Sequence, residues 1–495
     1  MKRILSVLLL ALVSPVVFSQ NFEDDSFADM KREFEQFKKS SINEFNEFRA
    51  QMMAEYLDFV RESWKEMRNE KPVPAPKIKP VPPVVKPKEE EKKEVKPQPK
   101  PVKIEKVLPT PVVKPQPKPV EPIEVKKEGG YEKSHNFAFY GTAVSVRFNP
   151  AARVNVTALN ENAIADAMAK MSNATHDKLI VDCLALREKM GLSDWAYMQL
   201  LKSLATSVYG GYSNSAVLFM SYIYMQSGYK MRLATDNKRL YMLYATEHVV
   251  FNRPSYTLDN SNFYCIDDMP SRLYVCKASF RGETPLSLMV TKPQSFARKA
   301  SKTKTITSKK YKDMSATVSV NSNLLDFYSS YPKSMLGDNM LTCWAIYANT
   351  PMDKAVRDQL YPQLKKSIAG LSPLEATNKL LNFVQTGLVY EYDDKVWGGD
   401  RPFFAEESLY YDYADCEDRS ILFTKLVRDL VGLDAALLYI PGHLLAAVRF
   451  NEPVNGKYIT IGGEKFIICE PTCLNGASVG WTNVTDAQSI SAIKL

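Results

Sequence analysis

The chain has 495 residues, of which 45% are hydrophobic and 24% charged, and it carries a net charge of +8. That length exceeds one ordinary core and points to about three domains. So small a charge excess, much of it in one lysine-rich stretch, argues against nucleic acid as a partner.

Met1-Lys2-Arg3 precede an apolar run over residues 4–12, followed by the small residues Val17 and Ser19. This is the pattern of a secretory signal peptide over residues 1–19, cleaved near Ser19. The apolar run is shorter than the roughly 20 residues a membrane span requires. No cysteine lies near the cleavage point, so a lipoprotein anchor is not expected. The expected location is exported, periplasmic or associated with the cell envelope.

Residues 22–68 carry an 11-residue repeat, Glu33-Phe34, Glu44-Phe45 and Glu55-Tyr56, with Phe37, Phe48 and Phe59 three residues after each aromatic. Eleven residues in three turns is about 3.67 per turn, a nearly straight amphipathic helix with an aromatic stripe. Such a stripe needs a cover, and self-association into a homo-oligomer is the first expectation. A membrane surface is less favoured because the polar face mixes acids and bases. Docking on the chain's own globular part is the plainest alternative.

Residues 69–130 change to proline, lysine, valine and glutamate. They read as a disordered, polyproline-like spacer, able to extend on the order of 150 Å. A globular part follows. Residues 136–270 open with the strand-like FAFYGTAVSVRF and continue through helical stretches at 163–170, 176–190 and 193–208. Residues 271–350 look β-rich, with period-2 alternation in RLYVCKASF, PLSLMVT and SATVSVNS. Residues 351–495 return to helices followed by strands. Seven cysteines in an exported chain permit disulfides. Cys265 with Cys276 and Cys469 with Cys473 are candidate pairs, with Cys416 the expected free thiol.

The chemistry concentrates in YADCEDRSILFTKLVRDLVG, residues 413–432. Asp415 is a good N-cap and Gly432 a stop, so Cys416 falls in the first turn of a helix, where the backbone N–H groups favour thiolate. A strand then leads through Pro441-Gly442 to His443 at the start of a second strand. A third ends on Glu470-Pro471-Thr472. Nucleophile, base and orienting carboxylate thus occur in workable order.

The blocks YxDCEDRSxLF, PGHxxxAV and EPT resemble the transglutaminase-like superfamily, a papain-like group of cysteine transferases and hydrolases, over residues 351–495. The resemblance implies an α+β fold, a helix packed on an antiparallel sheet. It makes Cys416 the nucleophile, His443 the base and Glu470 the orienting acid, a departure from the family's aspartate. Tyr411 and Trp397, with the Cys416 amide, are the candidate oxyanion donors.

A fainter copy of the pattern lies in residues 136–270. YGGYSNSAVLF, residues 209–219, aligns with YADCEDRSILF, and Gly228 falls on Gly432. Tyr212, His248 and Asp267 then stand for Cys416, His443 and Glu470, leaving a degenerate domain without a nucleophile. No cofactor motif or metal-ligand spacing stands out, so neither is expected. Two functions follow. One is an exported cysteine acyl-transfer enzyme, acting on peptide, protein or peptidoglycan-peptide substrates. The other is a non-catalytic oligomeric binding scaffold.

Overall fold

The computed structural model describes residues 24–76, 83, 85, 101–119, 133–173, 177–485 and 489–495, so the expected signal peptide over residues 1–19 lies outside the described residues. The chain divides into two units, Met1–Gln51 and Met52–Leu495. A helix begins at Asp24 in the first and ends at Arg61 in the second. Among the described residues, no helix is long and apolar enough to cross a membrane.

Within the larger unit the end of that helix is docked on its own globular part. Met52, Met53, Tyr56, Leu57 and Val60 are buried. The Tyr56 ring meets Phe280 edge-on at 5.7 Å. At Met52 and Tyr56 the stripe is therefore covered from within the chain, as in the plainest of the three expectations, while Phe59 stays exposed.

The larger unit is α+β, with two six-stranded sheets. In the first, helices Asp194–Tyr209 and Asn214–Gln226 start at Ser193 and Ser213, whose hydroxyls accept from the amides of Ala196 and Ala216. Five strands follow in chain order: Met231–Thr235, Leu240–Thr246, Tyr256–Leu258, Ser261–Cys265 and Arg272–Val275. In the second, helix Cys416–Leu430 precedes Ala435–Ile440, His443–Arg449, Tyr458–Ile461, Glu464–Cys469 and Ser491–Lys494. Both sheets place these strands in the same spatial order: third, fourth, second, first, fifth, then one strand from upstream. One constant offset separates Gly228 from Gly432, and the paired residues Met231 and Tyr244 from the paired residues Ala435 and Val448. Gly228 and Gly432 both adopt positive φ, +92° and +75°, to stop their helices.

The upstream strands come from the last residues of the expected helix, which ends early at Arg61, and from the stretch that composition assigns to a spacer. Lys65–Arg68 pairs antiparallel with Arg272–Val275, and Lys106–Leu108 pairs parallel with Ser491–Lys494. The described residues 101–119 run from the edge of the second sheet to the helices beside the first. The Val102 amide donates to the Tyr458 carbonyl at 2.7 Å, Arg187 donates to the Pro117 carbonyl at 3.0 Å, and Gln116 donates to Leu192 O and Asp194 at 2.9 and 3.0 Å. Proline suits an edge strand, whose outer N–H groups need no partner, and the interspersed Val102 and Leu108 have surface to bury. The disordered linker is thus corrected over 101–119. Val102→Asp would place a carboxylate among Ala436, Leu438 and Ile459. We expect it to cost about 2–4 kcal/mol in urea unfolding; a free spacer would show no change.

Residues 271–350 are no separate β-rich insert. Arg272–Val275 belongs to the first sheet, Lys304–Thr307 and Ser315–Val318 form a hairpin, and Ser322–Ser329 and Thr342–Asn349 are helices. PLSLMVT makes no ladder beyond a bridge from Leu286 to Thr246. All seven cysteines are free and buried, so neither expected disulfide is formed. Cys469 instead faces its own strand, its sulfur 3.7 Å from the Ile467 carbonyl.

Candidate active site

Asp415 is the N-cap, as expected. Its amide donates to the Asp418 carboxylate at 3.2 Å, which closes the first turn. Cys416 is thereby the first residue of a 15-residue helix. That helix packs on the histidine strand, where the Ser420 hydroxyl donates to the Leu444 carbonyl at 3.0 Å.

His443 opens its strand directly after the Pro441-Gly442 turn, and Glu470 follows the neighbouring strand Glu464–Cys469. His443 Nε2 lies 2.8 Å from Glu470 Oε1, and Thr472 donates to the same oxygen at 2.5 Å. Both sequence-expected members of this pair are buried, Glu470 completely. Burial lowers the imidazole pKa, but the Glu470 carboxylate, aided by Glu417, more than reverses this and raises it above the ordinary value. The longer glutamate side chain therefore does reach the ring. With Nε2 committed to Glu470, Nδ1 is the nitrogen left for a thiol.

The thiol itself departs from expectation. Cys416 is 2% exposed and its sulfur donates to Glu417 Oε2 at 3.1 Å. Burial, then the charges of Glu417 and Asp415, push its pKa well up, and the Leu444 amide only partly opposes them. The helix N-terminus alone predicts the opposite. Two carboxylates buried beside the sulfur outweigh it.

No family model, curated protein or solved structure matches this chain.

Around the thiol the fold assembles acids that lie apart in sequence. Asp393, Asp415 and Asp418 bring carboxylate oxygens within 4.8 Å of one another, as do Asp393, Asp400 and Glu417. Burial and mutual repulsion push Asp393 up to about 7 and Asp415 and Asp418 well above their ordinary range. Asp415 Oδ1 and Glu417 Oε1 have no hydrogen-bond partner among the described residues. An oxygen-rich set of this kind could hold protons or a hard divalent cation. Sequence spacing missed it because 393, 400 and 415–418 meet only in three dimensions.

The expected oxyanion donors pack on one another and on Arg401. Trp397 and Tyr411 stack edge-on at 4.8 Å, and the Arg401 guanidinium lies 4.4 and 5.1 Å from their rings. Burial, and next the Cys416 charge, raise the Tyr390 phenol above its ordinary range.

Nearby Glu406 and Glu407 are each pushed up to about 7 by burial. A carboxyl raised in the fold stabilises it fully below its unfolded pKa, about 4.3. That contribution is lost as pH climbs through about 7. We therefore expect urea midpoints to fall between mildly acidic and mildly alkaline buffer, and the fall to shrink in Glu406→Gln.

In the first module the counterpart positions sort differently. Tyr212 and Asp267 line one cleft. His248 does not join them: it sits on strand His248–Val250, paired with Ser334–Leu336. There it accepts from the Leu288 amide at 3.3 Å, and burial lowers its pKa to about 4. The residue at the hairpin position of His443 is Arg239, because Asp236 and Arg239 close the first module's hairpin as Ile440 and His443 close the second's.

Proposed function

We propose that the second module is a cysteine acyl-transfer enzyme of the transglutaminase-like kind, with Cys416 as nucleophile, His443 as base and acid, and Glu470 as the orienting carboxylate. The observation that carries this is the buried His443–Glu470 pair at 2.8 Å, beside a helix whose first residue is Cys416. In the reaction, sulfur attacks a carboxamide or peptide carbonyl as His443 takes the thiol proton. His443 then returns that proton to the departing amine, leaving a thioester on Cys416. Water or a second amine resolves the thioester. Val389, Trp397, Tyr410 and Tyr413 are exposed apolar side chains in the segment just upstream of Cys416, and such a face suits peptide substrates, those of the cell envelope among them.

One observation favours a second reading, a non-catalytic binding scaffold: the thiol is buried and bonded to Glu417. Acetyl transfer from p-nitrophenyl acetate separates the two. The enzyme forms one acetyl-thioester on Cys416, seen by intact mass, while the scaffold acquires none there.

A further inference from the structure

The first module keeps a cleft at the place where the second holds its catalytic residues. Tyr212, Arg239 and Asp267 occupy the positions of Cys416, His443 and Glu470 under the offset and strand pairing shared by both sheets. All three line a single cleft of about 620 Å³, together with Lys238 from the same hairpin. A site that had only lost its nucleophile would gain nothing from new charges. Here the base position has become a guanidinium with a lysine beside it.

The local charges sort into spent and unspent. Asp267 is paired with Lys202 at 2.5 Å, and Asp268 with Arg253 at 2.9 Å. Lys202 also lies over the Tyr212 ring at 4.4 Å, fixing that wall. Asp236 is engaged by the amides of Lys238 and Arg239 and by the Tyr241 hydroxyl. Among the described ion pairs, none includes Lys238 or Arg239. The start of helix Asn214–Gln226 adds its own positive end to the same cleft. Val217, Leu240 and the two tyrosines supply apolar wall.

We propose that this cleft binds the carboxylate of an acidic peptide, with Arg239 and Lys238 as its cationic contacts and Tyr212 and Tyr241 flanking the chain. A guanidinium and an ammonium lining a largely polar cleft with tyrosines beside them are what such a ligand needs. The proposal rests on the paired topology and does not require the second module to be active.

The test is fluorescence polarisation on the full chain carrying Cys416→Ala. The probes are fluorescein-labelled Ala-Glu-Glu with free carboxylates and the uncharged Ala-Gln-Gln amide. Saturable binding of the acidic probe is expected, roughly tenfold or more tighter than the amide. The double variant Lys238→Glu, Arg239→Glu should lose it by a similar factor, while His443→Ala leaves it unchanged. Both hairpin side chains are exposed, so the variant is expected to melt with the parent; should it not fold, the two probes still decide. Equal binding of both probes, undiminished binding by the double variant, or no saturable binding of the acidic probe overturns the proposal.

Discussion

Glu417→Gln should make Cys416 more reactive, alkylating at neutral pH roughly tenfold faster or more than the parent. The reasoning follows the thiol's surroundings. Its pKa is raised first by burial and next by the Glu417 charge, whose carboxylate also accepts the S–H at 3.1 Å. An amide of the same shape removes the charge and can donate to a thiolate. Each unit by which the thiol pKa falls gives roughly ten times more thiolate at a fixed lower pH. Iodoacetamide rates by intact mass read this directly, and an unchanged or slower rate would show that Glu417 does not restrain the sulfur. Neutralisation of the acid cluster by a divalent cation should act in the same direction in the parent, and less in the variant.

Arg419→Met should be the most destabilising single change near the site, costing about 3 kcal/mol or more in urea unfolding. Arg419 is fully buried, and burial lowers its pKa to about 10. Its guanidinium donates to three backbone carbonyls: Ala414 at 3.1 Å, Gln385 at 2.9 Å and Leu388 at 2.9 Å. It ties the turn before Cys416 to the end of helix Pro373–Gly387. Methionine fills the volume and strands the carbonyls. Lysine restores charge but cannot reproduce the planar fork, so Arg419→Lys should recover only part of the loss. A midpoint unchanged by either substitution would mean that the loop holds its shape by other contacts.

Much of the second module is legible in sequence because its signals are local. Asp415 caps a helix, Pro441-Gly442 makes a two-residue turn, and the apolar runs at 435–440 and 443–449 read as strands of a buried sheet. The order of Cys416, His443 and Glu470 follows from those elements. What sequence could not show was tertiary. Asp415 and Glu417 look like ordinary first-turn acids, favourable to the helix, and only the fold buries them against the sulfur. His248 was matched by residue type, yet strand pairing puts Arg239 at the corresponding hairpin position. The proline-rich stretch has the composition of a spacer, but Val102 and Leu108 find a sheet edge to cover. Composition records average burial and not whether an edge strand is missing elsewhere.

The most direct test of the catalytic reading compares acetylation by p-nitrophenyl acetate in the parent, His443→Ala and Glu470→Gln, with the adduct located by peptide mass. A working triad yields one acetyl group on Cys416, roughly a hundredfold slower to form in His443→Ala and intermediate in Glu470→Gln. Acetylation of Cys416 at the same rate in all three proteins, or adducts confined to the other cysteines, would contradict it.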